Sequence, residues 1–152
     1  KYKIALQPNK QTEIWIKLCN TINELFNGDI RNLFKINEYD VNKIRNYIQK
    51  DNKSKFPYLS GNKICNYWLY VLYQYTEIKF KNIEELTVAP DTHVIKSSHK
   101  LGIISDEELN LNNVQLIVID RWNELLKDTK YCPIDIHTPM WLWSRNGFKE
   151  LI

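Results

Sequence analysis

The sequence predicts an all-α fold, and three observations lead there. Apolar residues recur at three- and four-residue spacing in segment after segment, which is the period of a helix with one buried face. Those segments are separated by short stretches rich in Gly, Pro, Asn and Asp, the residues that stop or start helices. No two runs of alternating apolar and polar residues flank a tight-turn signal, so a strand pair is not expected, and no internal repeat is found.

The elements follow in order. From Thr12 to Phe26, Ile14, Leu18, Ile22 and Leu25 form a helical stripe, and Asn27-Gly28-Asp29 closes it. Asp40 is the expected N-cap of a second helix carrying Val41, Ile44, Tyr47 and Ile48 on one face. The polar run from Lys50 to Lys55 reads as a solvated connection. Phe56 to Asn62, with Pro57 and Gly61, reads as a hairpin. From Lys63 to about Tyr75 the residues are apolar nearly all round, the pattern of a helix buried at the centre of its domain. Residues 76 to 88 look like a loop or insertion. Asp91 then opens a helix from Thr92 to about Leu101, ended by Gly102. Ser105 and Glu108 form a capping box, and Asn113 to Leu126 carries Val114, Ile117, Val118, Trp122 and Leu125 at helical spacing. Tyr131 to Asp135 is expected as a loop. Thr138 followed by Pro139 reads as the start of a last helix running from Met140 to about Ser144.

Length suits one domain over residues 1–152. No window of about 18 apolar residues is present, so a membrane span is not expected. No charged-then-apolar leader opens the chain, and nothing points to secretion. The chain begins at Lys1 and its one methionine is Met140, which reads as a processed, trimmed or partial product. Cys19, Cys65 and Cys132 supply neither a disulfide framework nor a four-cysteine metal or iron–sulfur site, and are read as reduced thiols of an intracellular protein, cytoplasmic or nuclear. No set of residues has metal-ligand spacing, and neither metal nor cofactor is expected. A net charge of +3 is compatible with a polyanionic partner without requiring one.

Two segments carry the candidate chemistry: Leu59-Ser60-Gly61-Asn62-Lys63-Ile64-Cys65-Asn66 and Val88-Ala89-Pro90-Asp91-Thr92-His93-Val94. Together they resemble the helix-hairpin-helix DNA glycosylases, which include endonuclease III and the 8-oxoguanine glycosylases. In that family a hairpin ending in glycine is followed, two residues later, by a lysine opening a buried helix. An aspartate that opens the next helix comes after it. Gly61, Lys63, Asn66, Asp91, Thr92 and His93 match in order. Lys100 to Ile103 fits the end of the following helix, and Cys132 to Trp143 looks like the C-terminal element of the archaeal GO (8-oxoguanine) glycosylases. The resemblance spans roughly residues 55 to 147, with hairpin and catalytic helix at about 55–75, the aspartate element at 88–102 and the C-terminal helices at 105–147.

What the resemblance implies is an all-α helix-hairpin-helix bundle, without recognisable N-terminal pocket helices, that acts on damaged double-stranded DNA. Lys63 would attack the sugar and Asp91 would stabilise the charge developing there. Leu59, Ser60, Gly61 and Asn62 would meet the DNA backbone, since hairpin N–H groups contact phosphate without reading sequence. Tyr67, Asp135, His137 and Trp141 are candidates for the base pocket, although Tyr67 and Trp141 also read as core and His93 as a satisfied core histidine. The implied activity is removal of an oxidised base, 8-oxoguanine first, with AP-lyase cleavage through a lysine Schiff base. The alternatives are an oxidised-pyrimidine glycosylase of endonuclease III type and a non-catalytic DNA-binding module. Tyr58 stands where the family's first hairpin glycine falls, and His137 stands where it has an aspartate four residues before the tryptophan.

The residue types suit that chemistry. A lysine is ordinarily protonated at neutral pH and cannot attack. At the first turn of a buried helix, desolvation and the positive end of the helix dipole both favour the neutral amine a nucleophile needs. A carboxylate held as an N-cap is fixed in place, and a fixed negative charge stabilises a developing cation.

Overall fold

Eight α-helices and four shorter helical turns succeed one another in the computed structural model, which describes residues 8–149. The two ends of the expected 1–152 domain lie outside the described residues. The all-α expectation holds: among the described residues there is no strand, only an isolated parallel bridge between Asp40 and Lys81. No helix among them is long and apolar enough to cross a membrane.

Helix α1 runs Pro8–Phe26 within the described residues and so takes in the turn before Thr12 as well. It ends as expected, with Asn27 and Gly28 at positive φ and the Gly28 N–H donating back to the Ile22 carbonyl. Helix α2, Arg31–Ile36, went unforeseen because one and a half turns show too little periodicity. Asp40 does cap α3, Val41–Asn46, accepting from the Asn42 and Lys43 N–H groups. The chain then continues through a π turn, Tyr47–Asp51, which carries the expected Tyr47 and Ile48, and a 3-10 turn, Lys53–Lys55, so the connection expected over Lys50 to Lys55 is mostly helical turn. Helix α4 spans Asn62–Tyr75, a 3-10 turn Ile83–Glu85, α5 Thr92–Lys100, α6 Asp106–Leu109 and α7 Val114–Leu126. The Ser105–Glu108 capping box forms in both directions.

The last part of the chain departs from expectation. Thr138 is not an N-cap. A 3-10 turn, Pro133–Ile136, runs directly into α8, His137–Arg145, so Thr138 is already helical and Pro139 completes the first turn. The Cys132 N–H donates to Asp135 Oδ2 at 2.9 Å, which starts the chain winding before residue 137.

Two apolar clusters result. The larger gathers α1 to α4 and the segment up to Ala89, around Phe26, Leu33, Phe34, Ile44, Ile48, Phe56 and Leu69. Phe34 packs between Trp68 and the edge of Phe80. The smaller gathers Val94, Val118 and Met140 from α5, α7 and α8, with Val88 and Ile104 from the segments either side of α5. Ser97 and Ser98, fully buried on α5, serve its polar ties: Ser97 Oγ donates to the Met140 carbonyl at 2.8 Å, and Trp122 Nε1 donates to Ser98 Oγ at 2.9 Å. Small hydroxyl side chains let α8 approach α5 closely while satisfying the donors that burial would otherwise strand. Leu25 and Leu125, expected on buried stripes, are exposed.

Truncation of Leu69, fully buried on α4 in the larger cluster, is expected to be costly. Leu69→Ala should lower unfolding free energy by about 2–5 kcal/mol, read from urea midpoints, because it leaves a cavity as well as losing burial. The three cysteines are free. Burial pushes the Cys65 thiol up to about 11, so in the native state a thiolate-selective reagent should spare Cys65 and modify exposed Cys19 first. Equal labelling rates at both sulfurs would contradict the packing of α4.

Candidate functional site

Helix α4 does not close on all sides. Cys65, Asn66, Leu69 and Tyr70 face inward, whereas Ile64 and Tyr67 near the start and Tyr73 and Tyr75 in the last turn are exposed, so the expectation of a helix buried all round is wrong at both ends. The uncovered face forms one wall of a cleft of about 320 Å³. Lys63, Ile64 and Tyr67 come from α4, Ala89 and Asp91 from the segment entering α5, and His137, Thr138 and Trp141 from α8. The cleft therefore lies along the seam between the two apolar clusters.

Each wall is held by identifiable bonds. Asn66, fully buried, donates through Nδ2 to Thr87 Oγ1 at 2.8 Å, fixing α4 against the segment that leads to Asp91. Buried Pro90 brings the chain to Asp91 in extended conformation, at φ −108° and ψ −176°. One carboxylate oxygen, Oδ1, accepts the His93 and Val94 N–H groups at 2.9 Å each. The other, Oδ2, makes no hydrogen bond to a described residue, so the cap holds the carboxylate while leaving one oxygen uncommitted. The Ser97–Met140 bond sets α8 against α5.

His137 and Trp141 lie one turn apart on α8, facing the same cleft. The Trp141 ring meets the His93 ring edge-on at 5.4 Å between centroids, and His93 Nδ1 is 3.1 Å from Ser144 Oγ. His93 is thus a support for Trp141. The His137 ring lies 4.8 Å from that of Tyr67 and is only 7% exposed, with Nδ1 sealed from solvent and unpaired. Burial holds its pKa below the usual histidine range; the Asp91 charge and the Ala89 carbonyl favour the proton, and Lys63 opposes it.

The candidate residues from the sequence divide. Lys63, Asp91, Tyr67, His137 and Trp141 meet at one cleft. Asp135 does not line it, because its carboxylate is turned to the Cys132 N–H. Lys63 is exposed, so the protein alone does not provide the desolvation expected for its amine. Leu59, Ser60 and Gly61 form the turn into α4 and Asn62 is its first residue, with Leu59 packed against the larger cluster and Gly61 and Asn62 exposed. Tyr58 itself adopts the left-handed conformation, at φ +69°, that a glycine would take without strain, while Gly61 is extended and open enough to accept a Cβ. Ile64, Ala89 and Thr138 escaped the sequence reading. Ile64 and Thr138 each follow a candidate residue directly, and that adjacency was the available signal. Among the described residues no group of His, Cys, Asp and Glu side chains could hold a metal ion.

The depressed pKa of His137 has a consequence for stability. The unfolded chain takes up a proton at this ring first, near its ordinary value of 6.5. The stabilisation from the neutral ring is complete above that pH and is lost as pH falls toward the folded-state value. His137→Gln should therefore flatten the fall in urea midpoint between about pH 6.5 and 5. An unchanged slope in the variant would exonerate His137.

No protein-family model, curated protein or solved structure matches this chain.

Proposed function

We propose that the chain is a DNA glycosylase with AP-lyase activity, built as a helix-hairpin-helix bundle and acting on an oxidised base, 8-oxoguanine first. The observation that carries this reading is the meeting of Lys63 and Asp91 at one cleft, between side chains able to hold a flat ring. An amine, a fixed carboxylate and the aromatic faces of Tyr67 and Trp141 are what base excision asks of a site. The volume, about 320 Å³, is at the lower end of the roughly 300–1,000 Å³ typical of small-molecule sites.

The chemistry follows from the groups. The duplex extrudes the damaged nucleotide into the cleft and, in lying across it, covers the Lys63 amine that the free protein leaves exposed. Neutral Lys63 Nζ forms a bond to C1′. The glycosidic C1′–N bond breaks, its electron pair departs with the base, and the base takes up a proton. The uncommitted oxygen of Asp91 faces the positive charge that builds on the sugar during this step. The nitrogen then loses protons as the sugar ring opens to a Schiff base. Loss of the C2′ proton expels the 3′ phosphate and cuts the strand, and water releases the enzyme. The α4 N-terminus suits a phosphate: its cap is Gly61, with no side-chain acceptor, and its first turn has no acidic residue.

Borohydride trapping tests this. On a duplex with an abasic site or 8-oxoguanine, reduction should leave a covalent protein–DNA adduct, and Lys63→Gln should abolish it. Asp91→Asn, which keeps a capping oxygen but removes the charge, should slow base release at least about a hundredfold while leaving the fold intact. A chain that binds duplex without adduct is a DNA-binding module, and cutting of thymine glycol alone would identify an oxidised-pyrimidine enzyme. An undiminished adduct in Lys63→Gln removes that lysine from the mechanism.

A further inference from the structure

The chain has four arginines, and three are occupied within the protein. Arg31 pairs with Asp29 at 2.7 Å, Arg121 with Glu108 at 3.0 Å, and Arg45 donates to the Glu85 carbonyl at 3.2 Å. Arg145 differs. It is exposed in the last turn of α8, and among the described residues it has neither an ion pair nor a hydrogen bond. Its contact is with Trp141, where the guanidinium carbon sits 4.7 Å from the ring centroid. Trp141 lines the cleft and Arg145 does not. The guanidinium is thus held over the ring, one side chain away from the cleft, with its N–H donors unspent.

An arginine stacked on an aromatic face loses little freedom when it binds, and its planar fork matches the oxygens of a phosphate. A base held in the cleft stays attached to a backbone whose phosphates must pass its rim. The geometry points to Arg145 as the rim contact for a phosphodiester flanking the nucleotide in the cleft, on the side opposite the α4 hairpin wall. This rests on the proposal that the cleft takes a nucleotide from DNA. It adds a second anchor, carried by α8, so that Trp141 and Arg145 act as one unit, the ring for the base and the cation for the backbone.

A duplex with an uncleavable tetrahydrofuran abasic analogue tests it, with affinity measured over a series of salt concentrations. Arg145→Gln should weaken binding about tenfold and reduce the slope of log affinity against log salt by about 1, the signature of one lost phosphate contact. Arg145→Lys should restore the slope but only part of the affinity. Replacing the flanking phosphates with neutral methylphosphonates should cost the wild type about as much as Arg145→Gln and cost that variant little more. A helix-end role alone would shift the melting temperature and leave the salt slope unchanged, and that result overturns the assignment. A wild type that binds this duplex and is trapped by borohydride on a true abasic one, beside an Arg145→Gln variant of equal affinity and slope, refutes the rim contact alone. A wild type with no affinity for the duplex refutes both it and the proposed function.

Discussion

The cleft depends on one hydrogen bond from a buried amide. Asn66, fully buried, donates to half-buried Thr87 across the boundary between α4 and the extended segment before α5. Its position one turn along from Lys63 fixes the rotation of the helix. The uncovered face is set by the same bond, because turning α4 to bury Tyr67 would tear Asn66 from Thr87. A buried amide that loses its partner costs about 1–3 kcal/mol, more than a typical paired bond gains, so the arrangement resists slippage. Asn66 Oδ1 is itself buried and unpaired, which concentrates the whole tether in the Nδ2 group.

From that anchor the other walls follow. Four residues beyond Thr87 the chain reaches Asp91, where the carboxylate both starts α5 and presents its second oxygen. Helix α5 then carries the two serines that seat α8 and α7. On α8 the one-turn spacing of His137 and Trp141 puts both rings at the seam. His93, directly after the first turn's opening residue on α5, reaches across to brace Trp141 from its edge. The site is thus assembled from three segments joined by these polar ties, with α5 and α8 also packed through the smaller apolar cluster.

Much of this was legible in the sequence, and the parts that were not share physical causes. Capping residues were the most informative signals, because a cap is a local bond between a side chain and the next few N–H groups: Asp40, Asp91 and Ser105 all cap as expected. Thr138 misled because Pro139 fits the third position of a helix as well as the first, and a 3-10 turn had already begun upstream. The buried-helix expectation for α4 failed at Ile64 and Tyr67 because hydrophobicity alone does not distinguish a face covered by protein from one lining a cleft. Asp135 looked available for a base pocket, yet a backbone N–H three residues before it claims its carboxylate. The pairing of Asn66 with Thr87 needs three-dimensional proximity that spacing does not supply, whereas Trp141 and Arg145, four apart on one helix, carried a spacing signal that went unread.

The location of the cleft on the seam gives the molecule a division of labour. Residues deep in either apolar cluster can change, within the limits of packing, without touching a wall of the crevice. Two narrow strips belong to both halves: Leu86 to Asp91, with Ala89 in one cluster and Val88 in the other, and the 3-10 turn before α8, with Ile134 in one and Ile136 packed on the other. Drift in the two halves is therefore free to proceed separately except at these two short stretches.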